Sequence, residues 1–178
     1  MNFENLIGND NNKILLEEIV KKKNVSHGYL FLGISGIGKF LFAKEFAKAI
    51  LCNEQNGCNK CKSCIEFESS NNPDFQVIEP DENSIKIEQI RLMNNKIYEK
   101  PIISSKKVYI INNADLMTKE AQNCLLKTLE EPPEYVVIIL IGTNENMFLN
   151  TIRSRCVKIN FNKINDEELK KLLIDKYE

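Results

Sequence analysis

The chain has 178 residues, 43% of them hydrophobic and 28% charged, with a net charge of -1. That composition suits a globular domain with a real core, and the length admits one good-sized domain and the start of a second. The near-neutral balance argues against a domain that grips nucleic acid alone. No apolar run reaches the roughly 18 residues of a membrane helix, and the N-terminus lacks the basic and apolar segments of a signal peptide. We therefore expect a cytoplasmic chain with no membrane partner.

Along the chain, Asn11 to Lys23 carries Ile14, Leu15, Ile19 and Val20 at helical spacing. Tyr29–Leu32 is a short apolar strand, followed at once by a glycine-rich turn over 33–38 and a helix from Lys39 to Leu51. A polar segment with four cysteines, Cys52 to Cys64, interrupts the pattern. Then come a strand at Phe75–Ile78, a polar loop at Pro80–Ser84, a helix from Ile87 to Tyr98 and a strand at Lys107–Ile111. A helix from Ala114 to Leu129 stops before Pro132 and Pro133, since proline lacks the amide a helix needs. Strands at Val136–Ile141 and Val157–Ile159 complete the set. Strands alternating with helices predict an α/β fold, a parallel sheet covered by helices on both faces. From Asn162 the composition shifts to Lys, Asp and Glu around Ile164, Leu169, Leu172 and Leu173, which reads as the start of a second, helical domain. The expected division is residues 1–161 and 162–178.

The turn Gly33-Ile34-Ser35-Gly36-Ile37-Gly38-Lys39-Phe40 nearly fits the phosphate-binding pattern G-x-x-x-x-G-K-[ST]. In that pattern glycines let the backbone wrap phosphates, amides and a helix N-terminus attract the anion, and the lysine reaches the outer phosphates. Gly33, Ser35, Gly36, Gly38 and Lys39 are the candidate nucleotide-binding residues of a degenerate P-loop. Phe40 stands where a hydroxyl would hold Mg²⁺ and offers no oxygen. Two readings stand: a vestigial loop that keeps only its shape, or one that still binds ATP. The strand Val108–Ile111 ends in Asn112-Asn113, where P-loop ATPases place acids. Amides are weak Mg²⁺ ligands and poor general bases. Asp115 falls after the strand and is expected to cap the following helix.

Cys52, Cys58, Cys61 and Cys64 give C-x₅-C-x₂-C-x₂-C, spacing that suits a closed four-thiolate structural zinc site. Free thiols or an iron–sulfur cluster are the alternatives. Cys124 and Cys156 read as core or near-core residues. His27 is expected to make a local hydrogen bond rather than to bind metal. Thr151-Ile152-Arg153-Ser154-Arg155-Cys156 places an arginine on a turn between strands. It is either a surface arginine or a finger completing a neighbour's site.

Four features occur in order: the P-loop unit, the four-cysteine insertion, Asn123-Cys-Leu-Leu-Lys-Thr-Leu-Glu-Glu-Pro132, and Ser154-Arg155-Cys156. Together with Leu6-Ile7-Gly8-Asn9 and Ser26-His27-Gly28-Tyr29 they resemble the bacterial DNA polymerase III clamp-loader subunits, gamma/tau and delta-prime, over about Phe3 to Phe161. The resemblance implies a RecA-like AAA+ domain with a zinc-binding module at 52–64, then a helical lid domain. It implies Arg155 as an arginine finger acting in trans. Loss of the P-loop hydroxyl and the strand-end acids favours the delta-prime type, with no intrinsic ATPase, inside the DNA-directed DNA polymerase III holoenzyme, a nucleotidyltransferase complex. The implied partners are gamma/tau and delta subunits, with the sliding clamp and primer-template DNA reached through the assembled complex. Rival readings are a gamma/tau-like subunit with weak ATPase and a zinc-knuckle nucleic-acid-binding module.

Overall fold

Apolar side chains must be buried on both faces of the sheet and along one stripe of each helix. In the computed structural model, which describes residues 1, 3 and 6–163, this is met by three layers. The strands are β1 (Gly28–Leu32), β2 (Phe75–Ile78), β3 (Lys107–Ile111), β4 (Val136–Gly142) and β5 (Val157–Asn160), paired in the order β2-β3-β4-β1-β5. All four pairings are parallel. Strands β1, β3 and β4 are buried on both faces, which explains their unbroken apolar runs.

One face carries α1 (Asp10–Lys21), α2 (Lys39–Leu51) and α3 (Lys62–Glu68), and the other carries α4 (Ile87–Ile97) and α5 (Lys119–Glu130). Alternation along the strands divides the core. Phe31, Val108, Ile110, Ile139 and Ile141 pack with Phe42 and Phe46 of α2. Leu30, Leu32, Ile111, Ile138 and Leu140 pack with Ile90, Met93, Leu125 and Leu129. Phe161, just past β5, lies between Phe31 and Phe42 at ring-centroid distances of 5.1 and 5.0 Å, so the chain's exit from the sheet is stacked onto α2. A short helix, α6 (Asn150–Arg153), lies in the crossover from β4 to β5.

Most expected elements lie within one or two residues of their observed bounds, and three details differ. In α1 the buried residues are Leu16 and Val20, while Ile14 and Leu15 are exposed, so the buried stripe is rotated from the one expected. Residues 114–116 form a separate 3-10 turn, and α5 starts only at Lys119, where the Thr118 hydroxyl accepts from the Ala121 amide at 3.2 Å. The cysteine segment contains α3, a helix the sequence pattern did not signal. Residues 164–178, where the second domain is expected, lie outside the described residues.

The cysteine segment is bound to the sheet through a buried polar chain. Asn72 donates to the Ser63 carbonyl and hydroxyl at 2.9 and 3.0 Å, and its side-chain oxygen accepts from the Asp74 amide at 2.9 Å. Asp74 is 2% exposed and accepts three backbone N–H bonds, from Ile102, Ile103 and Ser104, each at 2.7 Å. Ser104 closes the circuit with Ser63 at 2.9 Å. Charge-assisted bonds of this kind are the stronger class, and stripping the acceptor leaves three donors without it. Asp74→Ala is therefore expected to cost roughly 2–4 kcal/mol of unfolding free energy in a urea titration.

Candidate nucleotide-fold site and cysteine cluster

In a parallel sheet the strand order reverses beside β1, and the loops there, at the carboxyl ends of the strands, form the natural crevice for a ligand. Here that edge is marked by Leu32, Ile111, Gly142 and Asn160. The loop 33–38 leaves β1 and runs directly into α2. Gly36 (φ 81°) and Gly38 (φ 85°) adopt the left-handed backbone that side chains disfavour, and both are needed for the turn. Ser35 is exposed on the loop, and Ile37 is buried beneath it.

Lys39, at the first turn of α2, is 6% exposed. Its ammonium donates to the carbonyls of Gly33 and Ile34, both at 2.7 Å. Burial lowers its pKa, and the Asp115 carboxylate opposes that. Phe40 is half-buried and packs against the core beneath α2. It serves packing where a hydroxyl would have faced the loop.

At the end of β3, Asn112 donates to Glu79 at 3.2 Å, and Asn113 takes a left-handed backbone (φ 49°). Asp115 does not cap α5, correcting the expectation from sequence. It is buried and turned toward the end of β4, accepting from the Thr143 amide at 2.8 Å, the Thr143 hydroxyl at 2.7 Å and the Asn144 amide at 3.4 Å. The side chain thus ties two strand ends together, and Thr118 takes the capping role. His27 is bonded through Nδ1 to the Val136 carbonyl at 3.1 Å, a contact with β4 rather than a local one. Cys124 and Cys156 pack against the core on the α4–α5 side, and burial pushes the Cys156 thiol up to about 12.

Arg155 lies at the other end of the sheet. It follows α6 and precedes β5, and its carbonyl lies 3.2 Å from where a Cβ on Gly28 would stand, at the start of β1. The five residues of β1 separate that position from the P-loop by about 13 Å. Arg155 is partly exposed, bonded to the Thr151 carbonyl at 2.9 Å and ion-paired with Glu130 at 2.7 Å. Arg153 is directed elsewhere, toward Asn150 and Glu145.

The four cysteines of the insertion come together, their sulfurs all within 4.8 Å of one another. Four thiolates at about 2.3 Å from one ion would stand about 3.8 Å apart, and Cys52 and Cys61 are 3.9 Å apart. Cys52 ends α2 and Cys61 caps α3, so two helix ends bring the pairs together. The Cys58 amide points at the Cys52 sulfur and the Cys61 amide at the Cys58 sulfur, both at 3.3 Å, as suits thiolate acceptors. Burial raises the Cys52 thiol, but amides of Cys58, Asn56 and Glu54 outweigh it and bring it down to about 6. Burial pushes the Cys64 thiol up, and the neighbouring Cys61 and Cys52 sulfurs add to this. A cation among the sulfurs would relieve that crowding. The donor set and geometry could hold a metal ion.

A parallel five-stranded sheet with a glycine loop between β1 and α2 is the core of an AAA+-type P-loop domain. Comparison with solved structures agrees. A DNA polymerase III gamma subunit-related protein from Thermotoga maritima superposes with a TM-score of 0.62 at 26% identity, over 91% of this chain and 49% of that one. The RuvB Holliday junction branch migration motor of the same organism shares the fold, with a TM-score of 0.60 at 18% identity, over 97% of this chain and 53% of that one. The family model described as DNA polymerase III, delta subunit, matches residues 8–165, and the chain belongs to this clamp-loader family of delta-prime and gamma/tau subunits. DNA polymerase III subunit delta' of Bacillus subtilis is 38% identical over 90% of this chain and 50% of its own length. Subunit gamma/tau of Mycoplasma pneumoniae is 35% identical over 97% of this chain and 26% of its own. The chain thus spans half or less of the length of these two relatives.

The pairing of Glu130 with Arg155 and of Asp115 with Thr143 is not foreseen from sequence: Glu130 appears there only as part of the Asn123–Pro132 motif, and Asp115 only as an expected helix cap. No local pattern signals either pairing, because both partners come from a different strand crossover. Asp115→Asn should weaken the tie between the ends of β3 and β4. A loss of about 1–3 kcal/mol in chemical denaturation is expected, the scale of bonds to a charged acceptor, and a variant as stable as wild type would contradict the tie.

Proposed function

We propose that this chain is the AAA+ domain of a non-hydrolysing, delta-prime-type subunit of the replicative clamp loader. It offers Arg155 to ATP held by a neighbouring gamma/tau-type subunit, whose ATP cycle opens and closes the sliding clamp on primed DNA. The observation that carries this reading is the position of Arg155, a partly exposed guanidinium at the sheet edge opposite its own phosphate loop. It is out of reach of a nucleotide in its own chain, and well placed for one presented by another.

The chemistry of the home site supports the same reading. Mg²⁺ neutralises charge on the transferring phosphoryl group, and an acid prepares the attacking water. Phe40 supplies no oxygen, and Asn112 and Asn113 supply only amides. Lys39 and the loop glycines hold the turn without those groups. An arginine, by contrast, needs neither a metal ligand nor a base in its own chain to stabilise charge developing on a neighbour's phosphate, and such contributions reach about 10³–10⁵ in rate. ATP turnover by the complete subunit alone would favour a weak gamma/tau-like ATPase instead. The near-equal identity to gamma/tau relatives makes that the rival to exclude.

Zinc is the metal that the cysteine set fits best: four sulfur donors within 4.8 Å of one another would fill a four-coordinate shell and leave no open position for a substrate. Bound there, it would supply a structural staple, and Cys52, Cys58, Cys61 and Cys64 would hold it. The protein is expected to contain about one zinc per chain by elemental analysis. Cys61→Ser should lose it, with faster hydrogen exchange in 52–68 and little change in the central strands; full zinc content in that variant would contradict the assignment.

The finger is tested in a reconstituted loader containing the complete subunit. Arg155→Ala should lower the DNA- and clamp-stimulated ATPase by about tenfold or more, equal to about 1.4 kcal/mol of transition-state stabilisation, while assembly stays intact. An unchanged rate would reduce Arg155 to a surface residue and this subunit to a passive member of the ring.

A further inference from the structure

A guanidinium has five N–H groups in a rigid fork. Two of those of Arg155 are used within the chain: one Nη donates to the Thr151 carbonyl at 2.9 Å, and the other pairs with Glu130 at 2.7 Å. Glu130 is the last residue of α5, a helix whose other turns are seated in the core through Leu125 and Leu129. Thr151 belongs to α6, whose Ile152 is fully buried. The two anchors therefore come from separate, well-packed elements, and they fix the plane of the guanidinium from two sides. The remaining N–H groups have no partner among the described residues and are left for an outside acceptor. A phosphoryl oxygen pair is the acceptor that a planar fork binds best.

We infer that Glu130 is a positioning residue for Arg155, holding one edge of its guanidinium so that the other edge faces a neighbouring subunit's phosphate. The inference rests on the arginine-finger reading above and adds to it a residue that never touches the nucleotide. A long arginine side chain on an exposed turn samples many rotamers, and an ordered one reaches a neighbour's transition state with less entropy left to lose. The acceptor atom of Glu130 matters for this more than its charge. Full neutralisation would weaken the arginine's pull on phosphate, but the pair is exposed, at 34% and 47% of the two side chains, so solvent screens it.

The experiment is steady-state ATPase kinetics of the reconstituted loader, carrying the complete subunit with Glu130→Ala, Glu130→Gln, Arg155→Ala, or Glu130→Ala with Arg155→Ala. Assembly of each variant is checked by gel filtration. Glu130→Ala is expected to lower kcat by about two- to fivefold, the range an exposed pair supports, with KM for ATP unchanged, because the arginine acts on the transition state. Glu130→Gln keeps an accepting Oε1 and should restore most of kcat. In the Arg155→Ala background Glu130→Ala should change nothing further, which a merely structural role would not produce. A kcat for Glu130→Ala at or above wild type overturns the inference, as does an equal fall with and without Arg155. If Arg155→Ala lowers the rate and Glu130→Ala does not, the finger stands and the positioning role fails. If Arg155→Ala has no effect, both fail.

Discussion

Because every strand of the sheet runs the same way, its two edges cannot do the same work. Carboxyl ends gather on one edge, where loops pass from strand to helix and amides point outward. Amino ends gather on the other, where helices return the chain to the sheet. The P-loop, Asn112, Asn113 and Thr143 belong to the first edge, and Arg155 and Glu130 to the second. Burial of β1, β3 and β4 on both faces keeps these edges a fixed distance apart, since no strand can slide without exposing an apolar row. A phosphate site and an arginine held apart by one rigid sheet cannot serve each other. That separation is what the proposed action of Arg155 on a neighbour's nucleotide requires.

The cysteine module hangs from the same frame. It follows α2, whose inner face is filled by Phe42 and Phe46, and returns through α3 to β2. Few apolar groups of its own hold it: Phe67, which meets Phe75 at 4.4 Å, is the main one. The rest is polar, the chain from Ser63 through Asn72 to Asp74 and the pair of Lys48 with Glu68. A segment so poor in apolar area gains little from burial. Four cysteine sulfurs at its centre are a sensible place for a cross-link that does not depend on area.

Much of this was legible in sequence, for identifiable reasons. The strands β1, β3 and β4 are short apolar runs bounded by turn residues, and helices α2, α4 and α5 carry strong stops or periodicity, so their existence and order could be read. The cysteine spacing announced its own cluster. What could not be read involves partners distant in the chain. Asp115 looks like a capping residue because it precedes a helix, yet its acceptors' partners lie at Thr143 and Asn144, reachable only once β3 and β4 are side by side. Glu130 and Arg155 are 25 residues apart and meet only because β4 and α6 carry the chain out and back. In α1 the periodicity was real but its phase was not, since four apolar residues at Ile14, Leu15, Leu16 and Ile19 leave the buried side to be chosen by the sheet. Helix α3 has only seven residues and no apolar run to announce it.

The retained lysine of the glycine loop is the remaining point, because it invites the conclusion that nucleotide binding has been kept. A lysine this deeply buried must have acceptors, or its charge would be costly to keep. Lys39 has them in the loop itself, in the carbonyls of Gly33 and Ile34, with Asp115 favouring its charged form. Those two bonds join the first turn of α2 to the beginning of the loop, closing the turn that Gly36 and Gly38 make possible. The residue therefore has a structural reason to be where it is that involves no phosphate. Phe40 makes the same case from the other side, since a position that would serve Mg²⁺ as Ser or Thr serves the core as Phe. Once the metal ligand is lost, the glycines and lysine can persist for the shape they give to the junction of β1 and α2. A glycine-lysine signature is thus evidence of ancestry, and the groups around it decide whether the chemistry survives.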